Sequence, residues 1–323
     1  MRAIRLLRGG APLEERQLAD PVPGPGEVLV DVHFAGICHS DAHYRGDASR
    51  VRLPVTLGHE VAGVVAAVGE GAAGVATGDR VALHYLLPGG DMLGKERDGG
   101  YAERIVVPAW NAVAVPAAVP LDQAAIMMCS TATALHALRV APLRHGESVA
   151  ILGFGGLGIS ALQLARALGA ARVFAVDPVA AKLRLAAAMG AIPAALDELP
   201  EVDVALDFAG HEATALAALR RLAAGGRLVV VAINLRRLTL DPYADVLGRE
   251  RRIVGCSDHT RDELAELMTL AARGAIDLSR AVSRRIPLSA TAVNAALDDL
   301  ESGTVHLRTV IAAPAAAAAA SGR

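Results

Sequence analysis

The sequence of 323 residues predicts an α/β fold, with a doubly wound parallel sheet in its middle and a mostly β region ahead of it. Three observations carry this expectation. Near residue 120 the pattern changes from short alternating runs to apolar strands separated by Ala-rich helices, and that alternation produces parallel strands with crossover helices. The apolar run 148–152 leads directly into Gly153-Phe154-Gly155-Gly156-Leu157-Gly158. The length also exceeds what one hydrophobic core usually supports, so two domains are expected.

In chain order, a Pro/Gly-rich turn at 21–26 precedes residues 28–34, which alternate and are rich in β-branched types. Residues 61–68 and 80–83 read the same way, with turns at 69–74 and 78–79, so residues 1–110 are expected to be mostly β. Strands of the middle segment are expected at 149–152, 173–176, 204–207, 227–232 and 252–255. From about residue 258 the pattern predicts helices at 262–272 and 290–301 and a last strand near 308–312. Residues 313–323 form an alanine-rich tail that is expected to be frayed or disordered.

Composition narrows the function classes. A net charge of −2 and the absence of a dense basic run give no footprint for nucleic acid or a membrane surface. The uncharged stretch 148–165 is broken by four glycines and makes a poor membrane span. The N-terminal residues have too little apolar core for a secretory signal. Three cysteines cannot build a disulfide framework, and a reducing, cytoplasmic location is expected.

The glycine run has the context that gives it meaning. A strand precedes it, an apolar helix expected at 159–168 follows, and a second strand, 172–176, closes on Asp177, nineteen residues beyond Gly158. In such a loop the first glycine permits a tight turn, the second lets backbone reach a pyrophosphate, and the third seats helix against strand. The helix N-terminus then faces the phosphates. An acid at Asp177 would hydrogen-bond a ribose diol and repel a 2′-phosphate, which favours NAD over NADP. Lys182, one of only two lysines, is either a second ribose contact or a solvated helix residue.

A second signal lies in residues 35–46, AGICHSDAHYRG, followed by Gly58-His59-Glu60. Thiolate and imidazole suit a borderline-soft ion such as zinc, and a catalytic site needs three ligands plus an open position. Cys38 and His59 supply two. Cys129 is the candidate third, although by itself it reads as a small buried hydrophobe, as does Cys256.

With these motifs in view, the chain resembles the zinc-dependent alcohol dehydrogenases of the medium-chain dehydrogenase/reductase family over nearly its whole length. The residues that carry the resemblance are GICHSD-x-H, GHE followed by Gly63, GDRV at 78–81, DGGYAE at 98–103 and the dinucleotide loop. Two cysteines and one histidine are the known ligand set of alcohol dehydrogenases, so the metal assignment matches a pattern. The resemblance implies a Rossmann domain, 131–257, inserted in a GroES-like catalytic domain formed by 1–130 and 258–323.

Position by position, it makes Cys38, His59 and Cys129 the ligands of one catalytic zinc, with Glu60 a carboxylate beside the metal. Asp41 would hold the histidine ligand, fixing its tautomer and raising its basicity, though by type it could equally be an N-cap. Ser40 would take the alcohol proton and His43 pass it to solvent. His39 and Arg308 would contact the cofactor pyrophosphate, alongside Gly153, Gly155, Gly156, Leu157 and Gly158, and Tyr85 would line the substrate cleft. The expected reaction is reversible oxidation of a primary or secondary alcohol by NAD, in a homodimer or homotetramer. Where many relatives carry four cysteines around a structural zinc, this chain has 86–92, LLPGGDM, and Cys256 is the one thiol to spare, so a single zinc is expected. Two other readings are a zinc-free quinone or enoyl reductase on the same fold, disfavoured by the ligand trio, and a non-catalytic dinucleotide-binding redox sensor, disfavoured by Ser40 and His43.

Overall fold

A computed structural model describes residues 1–302 and 307–316, with Ala48 described in its backbone only. The chain divides into two compact units, Met1–Cys129 with Leu264–Arg323, and Ser130–Glu263.

The first unit is built on β-sheets. Strands β1 (Arg2–Leu6), β2 (Glu14–Gln17) and β4 (Val55–Thr56) make a small antiparallel sheet in the order β2-β1-β4. The larger sheet contains β3 (Glu27–Ile37), β5 (Glu60–Val68), β6 (Arg80–Leu83), β7 (Arg104–Pro108) and β8 (Ala112–Ala114). It also contains β15 (Val282–Pro287) and β16 (Arg308–Ala312) from the C-terminal part, and runs β15-β16-β3-β5-β6-β8 with β7 also on β3. Strand β3 is long enough to serve two partners in succession: Glu27–Asp31 pairs with β7, and Phe34–Ile37 with β16. Ile4, Leu6, Leu57, Leu83 and Tyr101 are fully buried in the core between these sheets.

The second unit holds six parallel strands, β9 (Ser148–Leu152), β10 (Arg172–Val176), β11 (Ile192–Pro193), β12 (Val202–Asp207), β13 (Leu222–Val230) and β14 (Arg252–Gly255). Their order is β11-β10-β9-β12-β13-β14. Counted within the unit this is 3-2-1-4-5-6, the doubly wound order that opens a crevice between its first and fourth strands. The crossover helices bury one stripe each. In α6 (Glu212–Arg220), Ala215, Ala218 and Leu219 turn inward at helical spacing against Ala205 and Leu228 of the sheet.

Some expected boundaries move. Helix α4 (Gly156–Ala167) starts three residues earlier than its apolar run, because Gly155 is its N-cap and the last glycines of the loop form its first turn. Strand β13 begins at Leu222 through a register shift on β12 and stops at Val230, where the N–H groups of Val231 and Ala232 both turn to Asp207 O. Strands β1, β2, β4, β7, β8, β11 and β15 have no counterpart in the sequence reading; in β15, Arg284 sits between the buried Val282 and Ile286, and Arg285 on the exposed face, so two successive arginines mask an alternation that burial makes plain. The start of the alanine tail is held in place. Ala313 N–H donates to His33 O at 3.0 Å, and Ala313 and Ala316 are buried; residues 317–323 lie outside the described residues.

Candidate active site

Four segments converge at one end of β3. Gly36 pairs with Glu60 in the antiparallel β3–β5 ladder, so Cys38, just past the end of β3, and His59, just before β5, leave that ladder at the same end. Thr309 of β16 pairs with Ile37, which brings Arg308 alongside. Helix α2 (Leu121–Ile126) runs into a π-helical turn, Met127–Thr131, that carries Cys129. Such turns are rare and recur at functional sites, because the widened ring redirects a side chain. The ligand atoms of Cys38, His59, Glu60 and Cys129 all lie within 4.8 Å of one another.

Local sequence explains how these side chains are held. Cys38 is the N-cap of α1 (His39–Gly46), and Asp41, at the third helical position, reaches back to accept the Cys38 N–H at 2.9 Å. Asp41 is thus not itself the N-cap, as its type suggested; it closes the cap from inside the first turn. Its carboxylate also accepts from the Tyr101 hydroxyl at 2.8 Å and lies 3.3 Å from His59 Nδ1, an electrostatic contact short of good hydrogen-bond geometry. His59 Nε2 is thereby left to serve as a ligand. Gly58, at φ +97°, leaves room for the Tyr101 ring, which a side chain there would strike. Tyr101 belongs to the DGGYAE run, yet nothing in that run announces that its hydroxyl braces the acid behind His59.

The cluster is electrostatically tight. A hydrogen bond from Cys129 is the main cause that draws the Cys38 thiol well below its ordinary value, against burial and with help from His59. Cys129 is pushed well up by that same sharing and by burial. Burial works against a charged His59, but Asp41 and Cys38 outweigh it and hold the imidazole well above its usual range. Glu60 is raised to about 7, by burial first, with Arg308 opposing and Cys38 reinforcing. Its Oε2 accepts from Arg308, while its Oε1 is buried with no protein partner.

Two nearby thiols, an imidazole and an orphaned carboxylate oxygen are a donor set that suits zinc. Tetrahedral zinc–sulfur bonds of about 2.3 Å set neighbouring sulfurs about 3.8 Å apart, within the spread of these atoms. Asp41, Glu60 and Arg308 are buried, Ser40 is half-buried, and His39 and His43 are exposed. Ser40 Oγ lies 3.8 Å from Cys38 Sγ. Tyr85 is buried with its ring edge-on to His59, 5.3 Å between centroids.

The dinucleotide loop is formed by backbone. Gly153 takes φ +92°; a methyl group on Gly155 would meet nothing within 4 Å, whereas one on Gly158 would lie 2.6 Å from Gly153 O. The loop is tied to the end of β10: Asp177 accepts from Phe154 N–H at 2.8 Å and Val179 N–H at 2.9 Å. Lys182 Nζ stands 3.5 Å from the same carboxylate. Leu157 and Gly156 lie in the first turn of α4.

Two sulfurs, an imidazole and a doubly wound dinucleotide sheet together define a class, the metal-dependent dehydrogenases. Residues 24–117 match the alcohol dehydrogenase GroES-like domain family, and residues 156–273 the zinc-binding dehydrogenase family. The chain is 32% identical to an NAD-dependent alcohol dehydrogenase of Sulfolobus acidocaldarius, over 96% of this chain and 99% of that one. Among solved structures it is similar to a cobalt- and zinc-bound thermostable alcohol dehydrogenase from Pyrobaculum aerophilum, with 30% identity, TM-score 0.86 and coverage of 97% and 99%. It is also similar to a zinc-binding dehydrogenase from Sinorhizobium meliloti 1021 bound to NADP, with 29% identity, TM-score 0.87 and coverage of 96% and 98%. The chain belongs to the zinc-binding alcohol dehydrogenase family of medium-chain dehydrogenases.

Proposed function

We propose that the protein interconverts a primary or secondary alcohol and its aldehyde or ketone with NAD, using one zinc ion per chain held by Cys38, His59 and Cys129. The observation that carries this reading is the convergence of those three ligand atoms, with Glu60, inside 4.8 Å. Bound there, zinc supplies a Lewis acid that lowers the pKa of an alcohol hydroxyl toward neutrality. Asp41, itself braced by Tyr101, orients His59 and supports its basicity. Ser40 and His43 stand one helical turn apart on α1 and so share a face. The half-buried hydroxyl of Ser40 would accept the alcohol proton while giving its own toward the exposed imidazole of His43, which would release it to water. Arg308 offsets the charge of Glu60 where both side chains are buried; a role for Arg308 or His39 at the pyrophosphate rests on the family resemblance.

Asp177 at the end of β10 supports NAD over NADP, and Lys182 beside it supports a shared ribose contact. A single zinc is supported by the hairpin that replaces the cysteine lobe: Leu87 N–H donates to Asp91 O at 2.8 Å and Gly94 N–H to Arg97 O at 2.8 Å, closing 86–97 without thiols. A homodimer is supported by the outer edge of β14, where Ile253 is exposed and offers a ladder for a second copy. Reliance on thiolate ligands supports a reducing compartment such as the cytoplasm. No described helix is long and apolar enough to cross a membrane.

Purified protein carrying stoichiometric zinc is expected to form NADH from members of a broad panel of primary and secondary alcohols. Silence across the panel, with zinc bound, would remove the reaction assignment.

A further inference from the structure

We infer that Asn111 is a positioning residue for the metal centre, acting through Tyr85 on His59. This rests on the reading of His59 as a zinc ligand. The β6–β8 ladder ends at the pair Leu83 and Ala112, yet the chain beyond β6 is held as firmly as a strand. The backbone carbonyl of Asn111 accepts the His84 N–H at 2.8 Å. Its side-chain amide then donates to His84 O at 2.7 Å and to Leu86 O at 2.8 Å. One fully buried side chain therefore clasps the carbonyls on both sides of Tyr85.

The orientation of the amide shows which half matters. Asn111 Oδ1 is buried with no protein partner, a costly state that a flip of the amide would not relieve, since it would aim oxygen at two carbonyl oxygens. The two donations are thus what this residue contributes. Between them Tyr85 is fixed with its ring edge-on to the His59 imidazole, at 5.3 Å and 76°. Asp41 meets the same imidazole at Nδ1, so His59 is located by an acid on its ring nitrogen and an aromatic wall on its ring. The acid was legible from the motif; the residue behind the wall was not.

Outer residues that orient a metal ligand change affinity by about 10–100-fold when removed. Zinc affinity of the full chain, measured by competition of Zn²⁺ with a colorimetric chelator, is expected to weaken about tenfold in Asn111→Ala and in Tyr85→Ala. Tyr85→Phe, which keeps the ring, is expected to bind zinc as the wild type does. Because Asn111 acts through Tyr85, the double variant is expected to be no weaker than Tyr85→Ala alone, a departure from additivity that marks a shared path. Asn294→Ala is the control for simple loss of an asparagine clasp, at a half-buried position. Asn294 makes the same pair of donations, to Leu13 O at 2.8 Å and Ala290 O at 2.9 Å, and its loss is expected to leave zinc affinity unchanged. Trp110, the one tryptophan, stands 5.4 Å from His84 ring to ring, so its emission is expected to shift in Asn111→Ala and not in Asn294→Ala. If Asn111→Ala does not fold, Asn111→Ser, which keeps one donor, is expected to show the same effects at reduced size. Wild-type zinc affinity in the folded Asn111 variant, or a double variant whose loss is the product of the singles, overturns the inference. A wild-type chain that binds no zinc overturns the metal reading beneath it, and that arm is read first.

Discussion

The candidate zinc cluster of the first unit and the dinucleotide loop of the second use opposite resources. The cluster is made of side chains gathered from residues 38, 59, 60, 129 and 308, packed so closely that the protonation of each depends on the others. The loop is made of backbone from six consecutive residues, and its key positions are those where a side chain is missing. The difference teaches where each site is vulnerable: the first to a change in charge or donor type, the second to added atoms.

The largest effect is expected from Cys38→Ser. A hydroxyl is a poor, reluctantly ionised ligand, and the substitution also breaks the sulfur–sulfur contact that sets both thiols. Turnover is expected to fall about 10³-fold or more, while NAD binding, measured by calorimetry, stays within about twofold. Unchanged turnover would favour the zinc-free reductase reading, and loss of NAD binding would undo the separation drawn between the two sites.

Added atoms test the loop, and two glycines divide the outcome. Gly158→Ala places its methyl 2.6 Å from Gly153 O, an overpacking that costs about 1–3 kcal/mol, and is expected to lower Tm. Gly155→Ala meets nothing in the protein and is expected to leave Tm alone while weakening NAD binding about tenfold or more, because the methyl occupies the approach of the pyrophosphate. Should both variants lose stability equally, the loop would be a structural turn and not a phosphate cradle.

The contrast in resources also explains what the sequence could reveal. A contiguous backbone motif announces itself: strand, glycines, helix and Asp177 were all visible, and only the start of α4 shifted, because helical glycines look like loop on paper. For the dispersed cluster, Cys38, His59 and Glu60 stand in short motifs that match a family. The π-turn that aims Cys129 leaves no periodic signature, and the pairing of Arg308 with Glu60 joins residues 248 positions apart. Asn111 was invisible for a further reason: its role lies in which two carbonyls it reaches, and an asparagine before a short strand is ordinary. Edge strands such as β2 and β15, polar on their outer faces, give too weak an alternation to be read.

A smaller effect is expected at Asp177, where the two resources meet, since its carboxylate braces the Phe154 N–H and, on the proposed function, would also meet the ribose. Asp177→Ala is expected to raise KM for NAD and lower it for NADP, shifting preference about tenfold, with Lys182, released from the acid, available to a 2′-phosphate. An unchanged ratio of kcat/KM for the two dinucleotides would assign Asp177 to the loop's shape alone.

The smallest effect lies at the opposite, N-terminal edge of the same sheet, and it tests whether charge in the second unit serves stability and not chemistry. Arg227 grips Glu147 with two hydrogen bonds, 2.8 and 2.6 Å, and Asp203 accepts the Ser148 N–H and hydroxyl at 2.8 and 2.7 Å. Burial would raise both acids, but Arg227 and the Arg144 N–H hold Glu147 below its ordinary 4.5, and Ser148 with Arg227 holds Asp203 below 3.8. A depressed folded-state pKa means that the unfolded chain binds the proton more readily. Its stabilisation is therefore complete above the ordinary values and lost as pH falls through the folded ones. Arg227→Met is expected to flatten the decline of Tm between about pH 5 and 3 without altering NAD affinity at neutral pH. A wild-type slope in that variant would mean that other carboxylates carry the acid sensitivity of this unit.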